Sequence, residues 1–421
     1  MLKKADTHAL VALLILAYLI VGFTFQKQIS HNEGKGFDGV YYYQLATDFV
    51  NGETPTAKSP FVYRIGTPYV VSVFFPNDLM TGFKSVNLVF AVISIFLLLH
   101  FLRLYIDDER IIMLLVALYI IYWQAPLRLS IYYPVHTDPA SITFMLASLI
   151  AVTNIIRDKS KRGNLILLTL LTGVGVLFRE ICLVPAMALA FSSFVSLKEQ
   201  KMEFHLPQKK QLTYFIPMII GLLGYIMIIA FVNKSDDSTF FGATLGWLYE
   251  KSAAKYVHAL MMAFGPILIL AIYNIRNGLQ FLKSEPHLLF FVIAMLLVGL
   301  VGGSDTERLL YWSMPVVYVL IGKFLSERGT LLNWQIIALI AITQLISTRA
   351  FLFIPDYPND FSSVIPFLTP LTNEFPLFDL WSWHGKQKMN IFSFLQYATI
   401  LGALFWMLKH ADIKQIKILK K

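Results

Sequence analysis

The sequence predicts an all-α, polytopic transmembrane bundle of about twelve spans with both termini in the cytoplasm. Three observations predict it. Of 421 residues, 57% are hydrophobic and 14% charged, whereas a soluble domain carries about a quarter charged residues. The apolar residues come in runs of about 17–22, the length that crosses ~30 Å of hydrocarbon at ~1.5 Å per helical residue. The basic residues alternate between loops with the sense of the positive-inside rule. Spans of that length exclude the strands of a barrel.

The runs fall near 9–25, 84–105, 110–124, 139–156, 164–178, 180–197, 213–232, 257–273, 287–302, 309–325, 334–352 and 391–408. Lys3 and Lys4 precede the first run. That run is longer than a signal-peptide core and lacks a small-residue cleavage site, so it reads as a retained signal anchor. With the N-terminus inside, the inner segments hold Arg103 and Arg110, the Arg157–Arg162 cluster, Lys198 to Lys210, Arg276 and Lys283, Lys323 and Arg328, and the Lys409–Lys421 tail. The alternation runs the length of the chain without adjustment.

Composition also removes functions. The net charge of +9 sits in short loops, where it meets anionic lipid and not nucleic acid. Cys182, the single cysteine, permits no intrachain disulfide. No HxxxH or HExxH pattern marks a metal site, although a divalent cation stays compatible with the carboxylates. Asn233-Lys234-Ser235 matches a glycosylation sequon, a motif common by chance.

Two outer segments exceed what a connector needs. Residues 26–84 contain the apolar stretch Gly66–Phe75, too short to span and expected as a juxtamembrane or re-entrant helix. Residues 353–390 are rich in Pro, Phe and Trp, including Trp381, Trp383 and His384, a composition suited to lying in the interface. No internal repeat is visible, which counts against many secondary-transporter folds.

The outer side gathers the polar chemistry. Asp38 opens Phe37-Asp-Gly-Val-Tyr-Tyr42, and Tyr63-Arg64 follows in the same loop. His136-Thr-Asp138-Pro139 stands at the mouth of the fourth run, Arg179-Glu180 at a nearly loopless junction, and Asp305-Thr-Glu-Arg308 at a late helix start. Each has a structural alternative. Asp38 and Asp138 suit helix N-caps, the latter followed by Pro at the first helical position. The tyrosines suit an interfacial belt, and Asp305 with Arg308 suits a helix-start pair. Arg179 and Glu180 lie close to membrane depth, where unpaired charge is expensive. Convergence of carboxylates and arginines on one face favours chemistry. A carboxylate can act as general base on a hydroxyl, and arginines can hold a phosphate by bidentate hydrogen bonds.

With those residues in view, the chain resembles the GT-C-type glycosyltransferases, multi-pass enzymes that use polyprenyl-phosphate-linked sugars. Asp38, in Phe-Asp-Gly-x-Tyr-Tyr, occupies the place of the essential acid that family carries beyond its first helix. Tyr63-Arg64-Ile-x-x-Pro68 is similar to an element found after it in bacterial members. Asp305-x-x-Arg308 followed by Pro315 resembles the late helix start that engages lipid phosphate. The resemblance implies sugar transfer from a polyprenyl-phosphate donor to an envelope lipid or glycan acceptor, on the outer face of a bacterial inner membrane. Asp38 is then the catalytic carboxylate. Arg64, Arg179 and Arg308 are the phosphate ligands, positioned by Glu180 and Asp305, and Tyr42, Tyr63, His136 and Asp138 complete the expected site. The sequence departs from the family in two places: many members pair two acids where Asp38 is followed by Gly39, and no large C-terminal domain of the oligosaccharyltransferase kind is expected. A second carboxylate must then come from Asp48, Asp138 or Glu180. Two rivals are a polysaccharide polymerase or ligase acting through residues 353–390, and a non-enzymatic transporter or flippase of a lipid-linked sugar.

Overall fold

A computed structural model of the protein describes residues 4–198, 201–236, 246–249, 251–303, 305–348, 350, 354 and 387–419. It is about 78% helical. Among the described residues strands are confined to two small ladders: Thr56–Ala57 parallel to Asn233–Lys234, and the hairpin Val195–Lys198 with Lys201–Phe204. Asn233 of the sequon pairs with Thr56 in the first of these.

The chain begins with α1 (Lys4–Phe25), α2 (Gly39–Asn51), α3 (Gly66–Phe74), α4 (Leu79–Arg103) and α5 (Glu109–Ile121). It continues through α6 (Pro126–Tyr132), α7 (Asp138–Ile156), α8 (Lys161–Phe178), α9 (Val184–Ser192) and α10 (Ile216–Phe231). The second half holds α11 (Ala253–Phe264), α12 (Leu268–Tyr273), α13 (Ile275–Ser284) and α14 (Pro286–Val301). After these come α15 (Thr306–Tyr311), α16 (Met314–Arg328), α17 (Trp334–Ser347) and α18 (Gln387–Leu419). Among the described residues eight helical segments are long and apolar enough to cross a membrane, or nine if the α13–α14 pair, bent by 117°, is one span. This makes the chain an integral membrane protein by length and composition.

The remaining apolar runs fold into shorter pieces, for identifiable reasons. The run 180–197 becomes a 3₁₀ turn at Glu180–Leu183, then α9, then the first strand of the hairpin. The run 309–325 is divided between α15 and α16, which restarts with Pro315 in its first turn, where the missing N–H is no loss. The run 257–273, one of the eight spanning segments, bends at Gly265, whose φ of 69° and following Pro266 end α11. α17 reaches Ser347, short of the 352 expected.

The first outer segment contains α2 and α3, and α3 lies where the short apolar stretch predicts it. Its Tyr69, Val73 and Phe74 side chains are exposed, as a helix lying against lipid requires. Residues 353–390, with Trp381, Trp383 and His384, lie outside the described residues except for Ile354 and the first turn of α18.

The core is built on α4, α5 and α7, with α11, α15 and α16 closing one side. α7 packs on α4 and α8, and α8 on α10. α7 therefore begins, and α8 ends, at the same end of the bundle. Arg103, Glu109 and Arg157 mark the other end, where Arg103 grips Glu109 through two hydrogen bonds of 2.8 Å.

Candidate active site

Three chain reversals bring charged side chains together at the end of the bundle where α7 starts. The first is the turn entering α2. Asn32, Glu33, Gly34 and Gly36 all have positive φ, and the turn carries Asp38 to the N-cap position of α2. Gly39 is what allows the approach. A Cβ there would stand 2.7 Å from the Val135 carbonyl oxygen, and the Gly39 N–H donates to the Tyr133 hydroxyl at 2.7 Å. An acidic side chain at position 39 is sterically excluded.

The second reversal enters α7. Asn87, buried in α4, donates through Nδ2 to the carbonyls of both Pro134 (2.7 Å) and His136 (2.8 Å), which fixes the backbone leading to Asp138. The third is the α8–α9 junction. Arg179 is extended (φ −168°, ψ 142°), so Arg179 and Glu180 reach different partners.

The carboxylate expected to cap α2 does not do so: Asp38 makes no side-chain cap hydrogen bond. Its Oδ2 lies 3.8 Å from Arg308 Nη2. Asp138 stands at the first position of α7, behind an N-cap Thr137. Its Oδ1 accepts a short hydrogen bond from Arg179 Nη1, and its Oδ2 lies 3.6 Å from Arg308 Nε. Neither that Oδ2 nor that Nε has a hydrogen-bond partner, and both are buried. Arg308 Nη2 contacts Asp305 Oδ2 at 2.8 Å, so Arg308 faces three carboxylates, of which only Asp305 is within hydrogen-bond range.

A second unit adjoins the first. Arg64 donates to Glu180 through Nε (3.1 Å) and Nη2 (2.6 Å), and to the Tyr42 hydroxyl through Nη1 (3.0 Å). Such a fork is the strong form of the carboxylate–guanidinium bond. Arg179 also stacks on the buried Trp312 ring at 4.4 Å, a cation–π contact. Arg64 and Arg179 are thus committed to protein partners, while Arg308 is the arginine beside Asp38.

Exposure divides the cluster. The side chains of Asp38, Glu180 and Asp305 are 34%, 30% and 22% accessible, although protein surrounds them on most sides. They are the accessible members of the cluster, whereas Asp138 and Arg179 are buried. Burial pushes the Asp38 carboxyl above its ordinary value, Arg308 opposing and Asp305 reinforcing the shift. Burial likewise holds the His136 imidazole down to about 4, so it is neutral; its Nε2 lies 3.2 Å from Ser130 Oγ.

Of the ten residues singled out in the sequence, Asp38, Tyr42, Arg64, Asp138, Arg179, Glu180, Asp305 and Arg308 join this charge cluster. His136 backs it, coupled electrostatically to Asp138, Arg308 and Arg179. Tyr63 is buried and packs its ring edge-on against Tyr225 at 5.9 Å, beside the cluster. Asp48 is committed to structure, accepting from Thr56 N at 2.8 Å and Gln44 Nε2 at 2.6 Å. Of the three candidates Asp48, Asp138 and Glu180, the one near Arg308 is Asp138.

Sequence reasoning passed over four contributors. Asn87 and Trp312 carried a signal, a lone amide inside an apolar run and an aromatic beside an outer helix start. Glu307, fully buried, and Lys251, half-buried and electrostatically coupled to Glu307 and Asp305, offered little. Among the described residues no group of three His, Cys, Asp or Glu is arranged to hold a metal ion. The chain matches no family model, and no curated protein or solved structure is detectably similar to it.

Proposed function

We propose that the protein is a glycosyltransferase that moves a sugar from a polyprenyl-phosphate-linked donor to an envelope lipid or glycan acceptor. The face of action is the non-cytoplasmic one, in a bacterial inner membrane, as the alternation of basic loops implies. The observation that carries the reading is a solvent-reachable carboxylate, Asp38, uncommitted to capping and 3.8 Å from the Arg308 guanidinium.

The roles divide by geometry. Asp38 takes the proton of the acceptor hydroxyl as its oxygen bonds to the anomeric carbon. The bond from that carbon to the phosphate oxygen breaks, and the electron pair leaves on the lipid phosphate. Arg308 meets the charge that develops there. Arg179 acts through Asp138, and Arg64 through Glu180. Glu180, forked onto Arg64 and accessible, is placed to accept hydroxyls of a sugar. A carboxyl with a raised pKa suits general-base work nearer neutral pH.

A transporter or flippase needs charge or broken helices at mid-membrane. One span is broken, at Gly265, but Arg179 terminates α8, an 18-residue helix roughly 27 Å long, so its charge stands at a helix end and not at its middle. The polymerase or ligase reading depends on residues 353–390. Deleting that segment should then matter more than changing Asp38.

The test is transfer in proteoliposomes with synthetic polyprenyl-phosphate sugars and an envelope-lipid acceptor. The wild type transfers, and Asp38→Asn loses at least ~10²-fold in rate while inserting and melting normally. Full activity in that variant sinks the assignment.

A further inference from the structure

The charges of the site do not favour an anion as they stand. Among the described residues Asp38, Asp138, Glu180 and Asp305 face three arginines, and adding Glu307 and Lys251 leaves the balance negative. A phosphate arriving at Arg308 must therefore replace a carboxylate. Of the three carboxylates at Arg308, Asp305 is the one both within hydrogen-bond range and partly accessible. Asp138 is buried and locked to Arg179, and Asp38 is already beyond hydrogen-bond distance. Asp305 holds Arg308 at 2.8 Å, is partly accessible, and follows Gly303, whose φ is 135° and whose surroundings are open. Asp305 also interacts electrostatically with a second cation. Lys251, donating to the Gly299 carbonyl at 2.8 Å, is coupled to Asp305 and Glu307.

We infer that Asp305 holds the seat on Arg308 that a substrate phosphate takes, yielding it toward Lys251 when the phosphate binds and reclaiming it when the phosphate departs. This rests on the reading that phosphate binds at Arg308. It names the anion Asp305 selects. A lipid-phosphate sugar diester carries one negative charge and competes evenly with a carboxylate. The departing phosphate monoester carries nearly two and displaces it. Asp305 thereby opposes ground-state binding more than it opposes the transition state, the differential that raises turnover.

The test is the affinity of the purified full chain for farnesyl phosphate, a soluble-tailed monoester, measured calorimetrically in detergent. Asp305→Asn, which keeps shape and removes the charge, should bind at least ~10-fold more tightly. Its dependence on ionic strength should steepen. A merely structural Asp305, orienting Arg308, gives the opposite sign: binding weakens. Lys251→Gln, which leaves Arg308 untouched and removes the receiving cation, should weaken binding several-fold. Arg308→Gln should abolish it in every background. If Arg308→Gln abolishes binding while Asp305→Asn is unchanged or weaker, or Lys251→Gln has no effect, the inference fails and the phosphate seat stands. If Arg308→Gln leaves binding intact, the phosphate seat itself is wrong, and the inference falls with it.

Discussion

Asp138 neutralises two arginines from within the protein, and removing its charge should be among the most damaging single-atom changes in the chain. Asp138→Asn leaves Arg179 buried against an amide and deprives Arg308 of a carboxylate 3.6 Å away. Breaking a buried pair by removing one partner costs about 3–5 kcal/mol. Arg179→Gln should cost less, about 2–3 kcal/mol, because Asp138 keeps Arg308 as a neighbour, although the stacking on Trp312 is lost. The double variant should cost less than the two singles together, since the Arg179 charge that the first change strands is gone. The coupling should be about 1–3 kcal/mol. SDS titration of the protein in mixed micelles, followed by tryptophan fluorescence, measures all four corners of the cycle. Additivity within ~0.5 kcal/mol would refute the pairing, as would a loss below ~1 kcal/mol for Asp138→Asn.

Further outcomes follow from the same contacts. Asn87→Leu strands the Pro134 and His136 carbonyls and should destabilise by about 2 kcal/mol in the same titration; a change under ~0.5 kcal/mol contradicts the assignment. Gly39→Ala forces a Cβ against the Val135 carbonyl, displaces Asp38, and should cut initial rates of sugar transfer at least ~10-fold, whereas an unchanged rate removes Asp38 from the chemistry. His136 has its folded pKa depressed from 6.5 to about 4, so the unfolded chain binds the extra proton. Stability present above pH 6.5 should then decline as pH falls toward 4, by about 3 kcal/mol in all, and His136→Gln should flatten that slope in melts across the range. The transfer rate should fall as pH drops through the raised pKa of Asp38. Because Asp305 contributes to that rise, Asp305→Asn should move the acid limb to lower pH.

The fold was legible where one physical signal dominates. Apolar run length located α1, α4, α7, α8 and α10, and the short run at Gly66 located α3. It misled where backbone punctuation interrupts an apolar run, as at Pro315, beside which a helix that hydropathy reads as continuous restarts; Gly265-Pro266 bends the 253–273 span without removing it. The 195–204 hairpin is invisible to a window tuned to spans.

The site was half legible for a similar reason. Charge at an apolar boundary is a local signal, so Asp38, Arg64, Arg179-Glu180 and Arg308 stand out from the sequence. Who pairs with whom is not local. Arg64 and Glu180 are 116 residues apart and Asp138 and Arg179 are 41 apart. Nothing in composition indicates that Arg64 serves Glu180 while Arg308 serves Asp38. Asp138-Pro139 matches a capping signature, yet its carboxylate is spent on two arginines. The conflict between local rule and observed contact is what a functional site produces.

The central claim is that lipid phosphate sits on Arg308 with Asp38 beside it. The most direct test is a cryo-EM structure of the protein in nanodiscs with an added polyprenyl phosphate. The account predicts phosphate density within hydrogen-bond distance of Arg308, with Asp305 turned away and Asp38 open to the acceptor side. Phosphate density elsewhere, or Asp38 turned to cap α2, would contradict it.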